Sequence, residues 1–514
     1  MHVLIAGGGV AGVEALLALR ELAGDLVDVE LLSPSDEFVY RPLQVVEPFG
    51  SGETIRLELG RIVADAGARH TRDALVSVDP RERTVGTASG HARPYEVLLV
   101  ALGARAAEAV PGAITFGGEQ SDRFSKLLAA LGRRGTSRAT FVVPRQATWS
   151  IAAYELALLT AAEREARSLS GVELALVTHE SAPLELFGPA ASELVATRLE
   201  QAGVELRTGC TAERFEARAL EIADGEPHET DAVVALPKLE VQDLPGLPQR
   251  PNGFVDTDVR MSVNGLSGVW AAGDVTSFPV KQGGLATQQS DVAAGSIAAH
   301  AGAHVPAQTF SPVLRAALIT GDAPDYLRAR LSGAKDDVAS PGVALWAPAE
   351  KIAGRYLAPY LAGELREAGT GPLADVELPA DIAAQRSAHD RAVALLLAAS
   401  DTDAAQGRVE DALRWLALVE DLNLVIPPAY VARRQEWRQR LDSDASVDEV
   451  AKRIDPRFGS ASDAISDLQR RLGWLRRDER RAEDEMRAHL AAVDEGLEKL
   501  KALSRRTGVL GARE

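Results

Sequence analysis

The chain has 514 residues, 46% of them apolar and 25% charged, with a formal net charge of −18. This is the composition of a globular protein of roughly three domains, and the negative charge argues against a nucleic-acid partner and against tight binding to anionic lipid. No apolar run is long enough to cross a bilayer, and the first strand begins at residue 2 without a basic leader, so a cytoplasmic location is expected. Cys210 is the only cysteine, which excludes an internal disulfide, a CxxC redox pair and a thiolate metal site; no metal is expected.

His2-Val-Leu-Ile-Ala reads as a buried parallel strand, followed by a glycine-rich turn and an amphipathic helix. Gly7, Gly9 and Gly12 stand at G-x-G-x-x-G spacing, with Val10 and Ala11 between them. The first glycine allows the tight turn, the second a close approach of pyrophosphate to the backbone, and the third close packing of helix on strand. The helix N-terminus then offers unpaired N–H groups and a positive dipole end to the phosphates.

Val29-Glu-Leu-Leu-Ser33 reads as the second strand. It ends where an acidic residue normally holds the ribose hydroxyls, but Ser33 stands there, a weaker partner than a carboxylate. Tyr40-Arg41-Pro42-Leu43 reads as a loop, its Arg41 either facing a phosphate or flavin edge or solvated at the surface. Leu75 to Val100 reads as a small antiparallel insertion, carrying Val76, that returns to a buried strand ending at Ala101-Leu-Gly103.

A second strand–helix unit follows, with Arg138-Ala-Thr-Phe-Val-Val143 as strand and a helix from Ala152. Its turn, Pro144-Arg-Gln-Ala-Thr-Trp149-Ser-Ile, contains no glycine, so a pyrophosphate cannot easily approach this helix N-terminus. Cys210 falls at the end of a strand in this unit and reads as a packing residue. Residues 310–331 read as two strands about a Gly-Asp-Ala-Pro turn, and Trp346, Tyr356 and Tyr360 follow as core aromatics or the lining of a slot.

The order of the GxGxxG strand, the strand Tyr95-Glu-Val-Leu-Leu-Val-Ala-Leu-Gly103 and the late strand Gly268-Val-Trp-Ala-Ala-Gly273-Asp274 resembles the two-dinucleotide-binding-domain flavoproteins. Tyr40-Arg41-Pro42 and the stretch Pro279–Ala294 narrow the likeness. They are most similar to the branch containing sulfide:quinone reductase, flavocytochrome c sulfide dehydrogenase and type II NADH dehydrogenase. The likeness covers residues 1–370, and Glu96 replaces the aspartate of the middle motif.

The resemblance implies bound FAD. It places Gly7, Gly9, Val10, Ala11, Gly12, Ser33, Arg41, Pro42, Val76, Ala101, Gly103, Gly273, Asp274, Lys281, Gly283, Gly284 and Ala286 at the cofactor, with Asp274 on the ribityl chain. It also places Glu155 beside flavin or nicotinamide, so that Lys281 and Glu155 are the catalytic candidates. The residues support the helix role independently. Reduction puts negative charge on the flavin pyrimidine, which a helix N-terminus at Gly283-Gly284 with Lys281 nearby would stabilise. Relatives that use NAD(P)H have a glycine-rich second turn, and those that oxidise sulfide use two redox cysteines; this chain has neither.

The fold class implied is α/β: two Rossmann-like three-layer domains, an interface domain and an α-helical C-terminal extension with a coiled coil. FAD binding is assigned to residues 1–111 and 258–305, a second dinucleotide-binding-like domain with a degenerate turn to 112–257, the interface domain to 306–378 and the extension to 379–514. In the extension, residues 389–424 read as one tetratricopeptide-type hairpin about Gly407. Apolar residues from Ile465 to Leu500 recur at coiled-coil spacing, which suggests a homo-oligomer or a protein partner. The leading functional reading is an FAD-dependent oxidoreductase that passes electrons from an unidentified donor through flavin to a quinone or protein acceptor, with a small-molecule or quinone substrate as partner. The alternative is a flavin-binding sensor or scaffold whose helical tail binds a partner.

Overall fold

Val3, Leu4, Ile5 and Ala6 have no solvent exposure because strand His2–Ala6 lies at the centre of a five-stranded sheet covered on both faces. In the computed structural model the described residues are 1–368 apart from 118–120, 134–136, 306–307, 332–336, 343 and 347–349, together with most of 396–416 and a few between 430 and 437. The strand order of this sheet is Val269–Ala271, Val97–Val100, His2–Ala6, Asp28–Ser33, Arg69–Arg72, all parallel. Register pairs Val3 with Val29 on one side and with Val97 on the other. The carboxyl ends of the strands therefore open on one edge, where ligands of open parallel sheets bind.

Helices Val10–Ala23 and Gly283–His300 pack against each other over this sheet, and the Ser290 hydroxyl donates to the Ala11 carbonyl at 2.8 Å. The expected antiparallel insertion is a three-stranded sheet of Leu75–Asp79, Thr84–Thr87 and Ala92–Pro94. Tyr40-Arg41-Pro42-Leu43 is not an open loop. Glu37–Tyr40 is a strand, and Arg41–Val45 is a short 3-10 helix that Pro42 starts by fixing its own φ at the second position.

A second parallel sheet has the order Ile114–Thr115, Ala232–Ala235, Arg138–Val143, Glu173–Thr178, Val204–Arg207. Helix Ile151–Ala166 packs on it through Tyr154, Leu156, Ala157 and Leu158, all buried. Two parallel sheets, each opened by a strand–turn–helix, give the α/β class with two Rossmann-like units.

Val313–Leu318, Asp325–Arg330 and Val338–Pro341 form a third, antiparallel sheet, with the Gly-Asp-Ala-Pro turn between the first two strands. Long-range polar contacts fasten it. Arg198 holds Asp325 through two hydrogen bonds of 2.8 and 2.9 Å, and Gln288 bonds both the N–H and the carbonyl of Val313. Buried Glu14, from helix Val10–Ala23, accepts the N–H groups of Tyr356 and Leu357 at 3.0 and 2.7 Å and so caps helix Leu357–Ala368.

Contacts divide the chain into residues 1–432 and 433–514. Within the first unit, helical residues 396–405 and 409, 411–413, 415 and 416 lie either side of a turn at left-handed Gly407, and Ser400 bonds the Ala412 carbonyl while Trp415 bonds Asp403. In the second, Arg433, Arg434, Glu436 and Trp437 are helical; the coiled-coil stretch 465–500 lies outside the described residues. Among the described residues no helix is long and apolar enough to cross a membrane.

Candidate functional site

The three glycines of the first turn meet three different surroundings. A Cβ on Gly12 would fall 1.8 Å from the Gly7 carbonyl oxygen, and one on Gly7 2.1 Å from the Ala101 carbonyl oxygen. These two let helix, turn and neighbouring strand close on one another. A Cβ on Gly9 would meet nothing within 4 Å. Gly9 is the N-cap of helix Val10–Ala23 and has no capping side chain. Among the described residues no hydrogen-bond acceptor takes the first-turn N–H groups at Val10, Ala11 and Gly12, as an anion site at a helix start requires. Gly103, at positive φ, has the same open surroundings.

Gly273 joins the late strand to this turn: its missing Cβ would lie 2.9 Å from Cβ of Ala11 and 3.6 Å from Cβ of Ala286. The Gly273 N–H donates to buried Gln289 at 2.7 Å. Asp274 is thereby held beside both helix N-termini. Its carboxyl group has no hydrogen-bond partner among the described residues; burial raises its pKa, against the pull of Lys281 and Arg41. An acidic group kept at a helix junction with no protein donor fits an outside hydroxyl donor, such as a polyol chain.

Lys281 is buried, not a loop lysine in solvent. Its ammonium donates to the Thr276 carbonyl and lies 4.3 Å from the Phe254 ring centroid. Burial lowers its pKa to about 8, which Asp274 opposes. Gln282 caps the helix behind it by accepting the Leu285 N–H, and its amide donates to the Arg315 carbonyl. The reason for Gly283 differs from the expected flavin approach. A Cβ there would lie 2.4 Å from the Ile352 side chain, so the glycine makes room for protein, while Gly284 lies under the Gln282 side chain.

Glu155 is not an open carboxylate base. It is fully buried, with Lys351 Nζ at 2.7 and 2.8 Å from its two oxygens and the Ile319 N–H at 3.0 Å. Burial raises its pKa, and Lys351 acts the other way. Lys351 also donates to the Pro42 carbonyl at 3.2 Å, and the neighbouring Ile352 N–H donates to buried Tyr40 at 2.8 Å. Tyr40, Pro42, Glu155 and Lys351 thus meet where the two parallel-sheet units and the third sheet come together. Sequence reasoning missed Lys351, which has no local signature: its partners are 196 and 309 positions away.

The remaining predicted residues sit at the rim. Ser33 is buried at the end of its strand, with its hydroxyl at 3.3 Å from the Ser35 N–H and its side chain against Gly8. Arg41 is exposed and acts on Asp274 as a nearby charge. Val76 is 43% exposed on the three-stranded sheet, away from the glycine turn's own sheet.

The second turn is built differently. Trp149 packs edge-on against Phe187 at 5.7 Å, and the Thr148 carbonyl accepts the Lys281 N–H at 3.2 Å, so the turn is filled with its own side chains and docked on the first unit. Two residues past strand Glu173–Thr178 stands Glu180, where an acidic residue would hold a nucleotide ribose. It is buried and accepts hydrogen bonds from Tyr154 at 2.7 Å and Thr178 at 2.9 Å. Its carboxyl group is turned into the protein. Cys210 is half-buried, packs beside the second sheet and donates to the Thr208 carbonyl. Among the described residues no cluster of His, Cys, Asp or Glu could hold a metal.

Residues 1–296 match the family described as pyridine nucleotide-disulphide oxidoreductase, and the chain belongs to it. Solved structures of the same fold include the sulfide:quinone oxidoreductase of Aquifex aeolicus, 19% identical, with a TM-score of 0.59 over 65% of this chain and 86% of that one. A chain of the Tetrahymena thermophila mitochondrial ATP synthase is 12% identical, with a TM-score of 0.52 over 65% and 88%. The ferredoxin reductase for the CYP199A2 system of Rhodopseudomonas palustris is 21% identical, with a TM-score of 0.50 over 64% and 82%. The family supports a general oxidoreductase role and agrees with the two-dinucleotide-binding-domain flavoproteins that the sequence motifs resemble.

Proposed function

We propose that this chain is an FAD-dependent oxidoreductase whose flavin takes electrons from a donor other than NAD(P)H bound in the usual mode and passes them to a quinone, another small molecule or a protein. The observation that carries this reading is the contrast between the two turns. The first leaves open space at Gly9 and brings a partnerless Asp274 to two helix N-termini, while the second is filled by Trp149 and commits Glu180 to Tyr154 and Thr178.

In this reading Gly7, Gly9, Val10, Ala11 and Gly12 hold the pyrophosphate, Ser33 the ribose and Val76 the exposed rim. Ala101, Gly103, Gly273 and Asp274 hold the connecting chain, and Arg41, Pro42, Lys281, Gly283, Gly284 and Ala286 border the ring. When bound, FAD supplies two-electron chemistry that the protein tunes through charge and access. Lys281 adds positive charge on the side where the ring becomes anionic, together with the helix start at Gly283. Glu155 and Lys351 hold the third sheet against that region and can relay a proton between carboxylate and ammonium. Sulfide oxidation through a cysteine pair does not fit a chain with one cysteine.

The domain bounds given above and an oligomer formed through residues 465–500 belong to the same proposal. Anaerobic mixing of the FAD-loaded protein with NADH, NADPH and reduced quinones tests it. Rapid flavin reduction by NADH would overturn the donor assignment, and failure to take up FAD would overturn the whole reading.

A further inference from the structure

Two acids meet in the first unit that the proposed flavin chemistry does not use. Glu14, on helix Val10–Ala23, has no solvent exposure, and Asp291 stands on helix Gly283–His300, which packs against it. Their carboxyl groups are hydrogen-bonded to each other. A proton lies between them, since two carboxylates in contact and out of water repel.

The geometry puts that proton on Asp291. Glu14 accepts the Tyr356 N–H on one oxygen at 3.0 Å and the Leu357 N–H on the other at 2.7 Å, as a carboxylate does. The chain passes so close that a Cβ on Gly354 would lie 2.8 Å from the Glu14 carboxylate and 3.1 Å from the Thr287 side chain. Oδ1 of Asp291 is buried without a hydrogen-bond partner among the described residues. A protonated Asp291 donates to Glu14; an ionised one would face it with no donor between them.

Burial and the charge of Glu14, with Glu21 on the same helix, raise the pKa of Asp291 well above the ordinary carboxylate range, against the pull of Arg355. The other elements packed on helix Gly283–His300, the turn Gly273–Val275 and the strand Val313–Leu318, bring Asp274 and Arg315.

We propose that the proton shared by Glu14 and Asp291 is a pH-sensitive latch on residues 353–368. While it is held, Glu14 caps helix Leu357–Ala368 and ties this segment to the two helices of the first sheet. Lifting the segment hydrates both acids, and the Asp291 proton then leaves at any pH above about 3.9, the ordinary Asp value. The docked state binds one proton more than the lifted one, so docking is firmest at low pH. It weakens about tenfold per pH unit until the raised pKa is passed. The latch does not depend on the flavin reading, because neither acid is among the proposed cofactor residues.

The test is hydrogen exchange of the full chain with FAD added, read by mass spectrometry from pH 5 to pH 8 and corrected for the intrinsic rate at each pH. Protection over residues 354–368 should fall about tenfold or more across this range, and protection of Val3–Ala6 in the first sheet should not follow it. Asp291→Asn keeps an N–H donor for Glu14 that does not titrate, so its protection over 354–368 should be as high at pH 8 as at pH 5. Asp291→Ser offers a non-titrating hydroxyl and should be equally flat, which covers a failure of the first variant to fold. Wild-type protection that is flat with pH, or that falls in step with Val3–Ala6, would overturn the latch. So would a variant that keeps the wild-type slope.

Discussion

Gly9 and Gly12 are three residues apart and answer to different demands. Gly12 is fixed by the fold: a Cβ 1.8 Å from a carbonyl oxygen forces helix and turn apart. Gly12→Ala should cost about 3 kcal/mol in urea unfolding. Gly9 meets no such demand from the protein, since nothing lies within 4 Å of its missing Cβ, and in the proposed reading the cofactor takes that space. Gly9→Ala should unfold like wild type yet bind FAD about tenfold more weakly by fluorescence titration. If both variants lose stability equally, the space at Gly9 is not a cofactor cradle.

Lys281 makes a second residue-scale prediction, with a defined sign. Its ammonium titrates at about 8 in the folded protein against 10.5 when free. Below pH 8 its burial penalty is fully present. Between these values the unfolded chain binds more protons, so stability rises with pH, by about 3 kcal/mol in total. Urea unfolding of the FAD-free protein across this range should show the rise in wild type and lose it in Lys281→Met; parallel curves would show that the lysine is already compensated.

At the scale of elements, the strands and the two strand–turn–helix units were legible because fully buried parallel strands read as unbroken apolar runs and the turns between them are short. The glycine-free second turn was equally visible. What fills it was not: Trp149 meets Phe187, and Glu180 meets Tyr154, across distances in sequence that no local pattern encodes. At Gly283 a Cβ would strike Ile352, a demand that no local pattern shows, because a glycine records that something comes close and not what it is. Tyr154→Phe should remove a donor from buried Glu180, cost about 1–3 kcal/mol and leave the response to NADH unchanged. A variant that gained NADH oxidation would show that the ribose position had only been masked.

Among the described residues, buried polar contacts fasten the sheets to one another, and Glu155 with Lys351 is the most enclosed ion pair of these. Glu155→Gln strands a buried ammonium and should cost about 3–5 kcal/mol in urea unfolding. Glu155→Gln with Lys351→Met should recover most of that. A double variant as unstable as the single one would place the stabilisation elsewhere, in the Ile319 N–H bond. None of this was legible from sequence, where Glu155 stood out only through the resemblance. Truncation after residue 372 should lower the number of chains per particle found by light scattering while leaving any flavin bound; an unchanged number would remove the coiled-coil oligomer from the account.

The central claim is that one nucleotide site is kept and the other lost. It is tested most directly by the visible absorption spectrum of the purified, FAD-incubated and desalted protein, recorded anaerobically before and after addition of NADH. The account predicts flavin bands that survive desalting and do not bleach rapidly when NADH is added. A colourless protein would contradict the first half of the claim, and rapid bleaching would contradict the second.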